Sequence, residues 1–135
     1  MEYSIDTPKA LVVDDEPSVA RAVSKLLSRR GYSCRSAPDA FSAMRILKDE
    51  TFDLVVSDLR MPGRGGIDFL SDVVALHPDT ATVILTGFGD VATENLAISA
   101  GVDAFMTKNA DQEEIKSCLE HALMNKTMRL AAATV

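Results

Sequence analysis

Short runs of consecutive apolar residues alternate along the chain with longer segments in which apolar residues recur every three or four positions. The run "ALVV" at 10–13 is solidly apolar. Pro17 then stands at a first helical position, and Val19, Val23, Leu26 and Leu27 fall on one helical face before Gly31 ends the segment. "YSCRSA" at 32–37 alternates weakly and carries Arg35, the pattern of an edge strand. Pro38 and Asp39 open a second helix, predicted to turn Phe41, Met44 and Leu47 inward. "DLVVSD" at 53–58 is a continuous run, as in a strand buried on both faces. "MPGRGG" at 61–66 reads as a loop. A third helix carries Ile67, Leu70, Val73 and Val74. "TVILTG" at 82–87 is another buried strand, 91–100 a fourth helix ended by Gly101, and "AFMTK" at 104–108 a fifth strand. Asp111 and Glu114 have capping-box spacing ahead of Ile115, Cys118, Leu119, Ala122 and Leu123.

Five repeats of strand then helix predict an α/β fold, a parallel sheet with helices on both faces. Residues 1–124 are expected to form one domain, and 125–135 to be an extension of the last helix or a linker cut short. The length of 135 residues suits a single core, and 47% apolar with 25% charged residues places the chain among globular proteins. A net charge of −6 argues against nucleic acid as a partner of this domain, because phosphate backbones need a basic patch. No apolar run approaches the length of a membrane span, and "MEYSID" has neither the basic nor the apolar region of a secretory signal. Cys34 and Cys118 are far apart, with no metal-ligand spacing. They suit a reducing, cytoplasmic setting in which both thiols fill small core positions. His77 and His121 are unaccompanied and read as surface residues.

The polar residues that change this picture lie at the carboxyl ends of the strands. The first strand runs into Asp14 and Asp15, with Glu16 a third charge beside them, the third into Asp58, the fourth into Thr86 and the fifth into Lys108; Asp14, Asp15 and Asp58 are three carboxylates from two strand ends. In an open parallel sheet these ends share one edge, where such folds bind ligands. Side-by-side carboxylates repel by roughly 4 kcal/mol per pair at about 4 Å and an effective dielectric near 20. A hard, oxygen-rich set of this kind suits Mg²⁺, whose charge offsets that repulsion and which binds alongside phosphate. A carboxylate beside the cation can attack phosphorus. Lys108 offers a point charge and Thr86 a hydroxyl for phosphoryl oxygens. No Walker-type or G-x-G-x-x-G loop is present, which argues against nucleotide binding.

With "LVVDDEP", "VVSDLRMPGRGG", "VILTGFGD" and "GVDAFMTK" in this order and spacing, the chain from about Lys9 to Leu123 resembles a response-regulator receiver domain of two-component signalling. The resemblance implies a CheY-like, flavodoxin-like fold with strand order 2-1-3-4-5 and five helices. It implies Asp58 as phosphoacceptor, with Asp15, Asp58 and the backbone carbonyl of Arg60 as direct Mg²⁺ ligands and Asp14 acting largely through water. Thr86 becomes the switch hydroxyl, Lys108 the phosphate partner, and Phe105 the aromatic switch residue whose ring turns inward. Arg60 and Phe88 occupy the positions that tune access of hydrolytic water, and Gly87 the small position that admits a phosphodonor. The donor would be a sensor histidine kinase or phosphotransfer protein. The output would be an altered surface on the fourth helix, fifth strand and fifth helix, read by an effector domain or protein or by a second copy of the chain. The domain would be no enzyme beyond assisting its own phosphorylation and dephosphorylation. Where the family usually has proline with a cis peptide after the lysine, this chain has Asn109, so a different loop geometry is expected there.

Two other readings compete. An aspartate-nucleophile phosphatase of haloacid-dehalogenase type wants D-x-D after the first strand; the corresponding pair here is Asp14 and Glu16, and no segment is left over for a substrate cap. A receiver-like interaction module working without phosphate would commonly lack one of the acidic or lysine positions, and this chain has all of them.

Overall fold

The computed structural model describes residues 7–87 and 91–133, without the side chain of Val91. Its elements are β1 (Lys9–Val13), α1 (Pro17–Ser28), β2 (Ser33–Ala37), α2 (Ala40–Asp49), β3 (Leu54–Asp58), α3 (Gly66–Leu76), β4 (Ala81–Thr86), α4 (Val91–Ser99), β5 (Ala104–Thr107) and α5 (Gln112–Ala133). The strands form one parallel sheet in the order β2-β1-β3-β4-β5, the doubly wound, flavodoxin-like arrangement expected from the sequence. Alternation along each strand divides the core between two faces. Val12, Val56, Val83 and Leu85 pack on α1 and α5, through Val23, Leu27, Ile115 and Leu119. Leu11, Val13, Val55 and Ile84 pack on α2, α3 and α4, through Leu47, Phe69, Leu70 and Ala97. The weakly alternating strand β2 is an edge, with Arg35 exposed and paired to Glu50.

Local chemistry sets the helix starts. Asp39 caps α2 by accepting from the Ser42 amide at 2.8 Å. Asp111 and Glu114 form the expected capping box at α5, each carboxylate accepting from the other residue's amide at 2.9 and 3.0 Å. Phe41 does not point inward as predicted; it is 73% exposed. The inward stripe of α2 is Ala40, Ala43 and Leu47, whose small residues let the helix lie close to the sheet, and Phe41 is rotated about 100° from Ala40. Its ring lies against Arg45, with the guanidinium 5.9 Å from the centroid. Burial pushes the Cys118 thiol up to about 11, so it stays protonated in the core.

Two contacts fix the geometry at opposite ends of the sheet. At the carboxyl end, α3 starts against the backbone of Asp58: a Cβ on Gly66 would lie 2.0 Å from the Asp58 carbonyl oxygen. At the other end, α5 continues through 125–133 and is tied to the sheet. The Asn125 amide donates to the Asp103 carbonyl at 2.6 Å, and Arg129 pairs with the Asp103 carboxylate while donating to the carbonyls of Pro78 and Thr80 at 3.0 and 3.2 Å. Asp103 is itself buried and accepts from the Thr82 amide at 2.9 Å.

Gly66→Ala is expected to lose about 1–3 kcal/mol in urea unfolding, since the methyl group meets backbone that has no room to yield. Arg129→Gln, which leaves a buried carboxylate without its ion pair, is expected to lose about 3 kcal/mol. Adding Asp103→Asn to that chain should recover part of the loss.

Candidate functional site

Backbone hydrogen bonds just past the strand ends carry the polar residues to a common edge. Asp14 donates its amide to the Ala37 carbonyl at 3.1 Å, Leu59 to Leu85 at 2.9 Å and Lys108 to Thr86 at 2.8 Å. The β1–β3 register pairs Val13 with Ser57, so its next rung sets Asp14 beside Asp58. Side-chain alternation then makes the two neighbouring aspartates unlike. Asp14 is buried and Asp15 exposed, while Asp58 and Thr86 are buried at the ends of β3 and β4.

One carboxylate oxygen from each of Asp14, Asp15 and Asp58 lies within 4.8 Å of the others. The Lys108 ammonium stands among them, 3.3 Å from Asp58 Oδ1, 3.7 Å from Asp14 Oδ2 and 3.4 Å from Glu16 Oε1. Asp14 Oδ1 accepts from the Glu16 amide at 2.9 Å, but its Oδ2 is buried with no hydrogen-bond partner. Burial pushes the Asp14 carboxyl up, and the charges of Asp58 and Asp15 add to it against the Glu16 amide and Lys108. For Lys108 burial pulls downward, but Asp58 and Asp14 together with the contact to Glu16 outweigh it, and the ammonium is held above its ordinary value.

A cleft of about 530 Å³ opens over this cluster, lined by Asp15, Glu16, Asp58, Arg60, Thr86, Gly87, Thr93 and Lys108 among others. Asp14 is not in its lining; it supports the cluster from beneath. Phe105 is not in it either. It is half-buried on β5 and lines a separate groove between α4 and α5, with Ile98 and His121. Phe88 lies outside the described residues. All peptide bonds among the described residues are trans, including Lys108–Asn109, which agrees with the altered loop expected there. The hard oxygen set, with one buried carboxylate oxygen unsatisfied, fits a divalent cation such as Mg²⁺.

Three contributors escaped the sequence reading of the site. Glu16 reads in the sequence as a third charge and as the second acid of the D-x-D comparison, and its contact with Lys108 is not foreseen there. Gly66 looked like one more loop glycine, and only the approach to Asp58 in three dimensions distinguishes it. Thr93, in the first turn of α4, carried no local signal beyond its place shortly after β4.

Residues 10–120 match the family model of the response regulator receiver domain. The response regulator protein PilR of Pseudomonas aeruginosa is 34% identical over 115 residues, covering 85% of this chain and 26% of PilR. The chain spans about a quarter of the length of the first curated relatives it matches. A receiver domain protein from Clostridium thermocellum superposes with a TM-score of 0.78 at 28% identity, over 90% of this chain and 98% of that one. A Burkholderia pseudomallei response regulator, solved with a phosphorylated aspartic acid and a calcium ion, gives 0.77 at 28% identity, over 93% and 72% of the two chains. A family match across nearly the whole αβ repeat, joined to the sheet order and the acidic edge, settles the kinship: this chain belongs to the response regulator receiver domain family.

Proposed function

We propose that the chain is a phosphorylation-dependent signalling switch whose phosphoacceptor is Asp58. The observation that carries this reading is the position of the Asp58 carboxylate: it borders the open cleft, 3.3 Å from the Lys108 ammonium and beside two further carboxylates. A carboxylate oxygen of Asp58 attacks phosphorus of the donor, the new O–P bond forms as the bond to the leaving group breaks, and the electron pair departs with that group. No proton is required of the nucleophile. Lys108 and the Thr86 hydroxyl supply positive charge and a donor to the phosphoryl oxygens. Asp14, Asp15, Asp58 and the Arg60 backbone carbonyl would hold Mg²⁺, which neutralises the crowded negative charge when bound.

The donor is a sensor histidine kinase or phosphotransfer protein. The phosphoryl group draws Thr86 toward it, Phe105 turns inward, and the altered face of α4, β5 and α5 is read by an effector or by a second copy of the chain. Residues 1–124 carry the switch and the last turns of α5, tied to the sheet through Asn125 and Arg129, brace it; the unit works in the cytoplasm and transforms no other substrate, and none of its described helices is long and apolar enough to cross a membrane. The phosphatase alternative is not favoured, because it needs Asp14 as nucleophile and that side chain has no exposed surface.

Incubation with acetyl phosphate and Mg²⁺ should add one phosphoryl mass to the wild type and none to Asp58→Asn. An equal gain in the variant would place the phosphate elsewhere. A second outcome concerns pH. The raised pKa of Asp14 means that folding disfavours its ionised form. That cost is present above the folded-state pKa, is relieved as pH falls through it, and is gone below the ordinary value of 3.8. Without divalent cation, Asp14→Asn should therefore melt above the wild type at neutral pH, with the gain vanishing in acid. Adding Mg²⁺ should raise the wild-type Tm more than that of Asp14→Asn. A variant that melts lower at neutral pH would contradict the assignment of strain to this carboxylate.

A further inference from the structure

Glu16 holds the N-cap position of α1, yet its side chain makes no capping hydrogen bond. Its backbone does the structural work there: the carbonyl accepts from Val19 and Ala20 at 3.1 Å, and the amide donates to Asp14. The carboxylate instead turns over the mouth of the cleft and lies 3.4 Å from the Lys108 ammonium, nearer than the buried Asp14 oxygen at 3.7 Å. Arg60 lines the same cleft, but no ion pair between it and Glu16 occurs among the described residues. Lys108 is thus shared between two buried carboxylates that stay in place and one, 60% exposed, that is free to leave.

We propose that Glu16 is a placeholder for the phosphoryl group, a carboxylate that occupies Lys108 until an incoming phosphoryl oxygen displaces it, and so sets the rate at which Asp58 is modified. This rests on the reading of Asp58 as phosphoacceptor. A phosphoryl oxygen and a glutamate oxygen offer the ammonium the same chemistry, so the two compete for one donor group. Displacement leaves Glu16 in water, where its charge is solvated at little cost. The exchange breaks and forms no covalent bond; the covalent step is the attack of Asp58 on the donor already described.

The test compares wild type, Glu16→Gln and Glu16→Asp with acetyl phosphate at saturating Mg²⁺, following intact mass, with the labelled residue located by peptide mapping. Glu16→Asp keeps the charge but shortens the reach by one methylene, and aspartate at an N-cap is drawn to the helix amides instead. Both variants should label about threefold faster than wild type, the size expected for losing a largely solvated ion pair. Both should also bind beryllofluoride more tightly by a similar factor, a readout independent of turnover. If Glu16→Gln is faster while Glu16→Asp matches wild type, the effect is simple charge repulsion at the mouth and the placeholder is wrong. Equal rates in all three also overturn it. A wild type that takes no label at Asp58 would defeat the phosphoacceptor reading itself, a result distinct from either. Circular dichroism melts confirm that the variants are folded.

Discussion

The structure is organised around a concentration of like charge. Carboxylates from Asp14, Asp15 and Asp58 stand within 4.8 Å of one another, close enough that their like charges repel. One ammonium, Lys108, is spread over Asp58, Asp14 and Glu16, too few charges for the number of partners. The fold withstands this because the backbone at each position is fixed independently of the side chains, by the hydrogen bonds Asp14 to Ala37, Leu59 to Leu85 and Lys108 to Thr86. The repulsion therefore cannot relax by moving the strands apart. It remains as a standing affinity for positive charge at one edge of an acidic domain.

The sheet also restricts where any response to that edge can travel. β4 and β5 are joined at their starts by Asp103, whose carboxylate accepts from the Thr82 amide and pairs with Arg129 of α5. Their carboxyl ends meet through the Thr86–Thr107 pair and the bond from Lys108 to the Thr86 carbonyl. With both ends of these two strands held, the freedom of this layer lies in α4. That helix has one fully buried side chain among its described residues, Ala97, and leaves Leu96 and Ile98 more than 60% exposed. Weak burial marks it as the least anchored element of the layer, and a weakly anchored element beside a charge-sensitive edge is what a switch needs.

Much of this was legible in the sequence, for identifiable reasons. Fully buried strands write themselves as unbroken apolar runs, so β3 and β4 were plain, and the weak pattern with Arg35 gave β2 as an edge. Chemistry at strand ends was legible because parallel topology gathers all such ends on one edge. The capping box at α5 was visible because it is purely local. What could not be read depended on distance in space. Phe41 satisfied a three-residue period, but the closeness of α2 to the sheet gives the inward stripe to alanines. Gly66 matters only because α3 begins against the Asp58 carbonyl. The ties of Asn125 and Arg129 to Asp103, Pro78 and Thr80 span 22 to 51 residues, and no periodicity encodes them.

Three aspartates of the same chemistry have unequal places in this site, and strand geometry makes the difference. Asp14 and Asp15 are consecutive, so alternation buries one beneath the cluster and leaves the other at its surface. The buried one keeps an unsatisfied oxygen and no exposure, which suits it to hold charge in place and not to meet a donor. The exposed one lines the cleft and stays open to solvent. Asp58 lies between these extremes: its side chain is 8% exposed, enough to border the cleft, and it faces the ammonium. Burial strips most of the water from its oxygens while the cleft leaves a path to phosphorus. The proposed nucleophile needs both, and of the three aspartates Asp58, the last residue of the central strand, combines them.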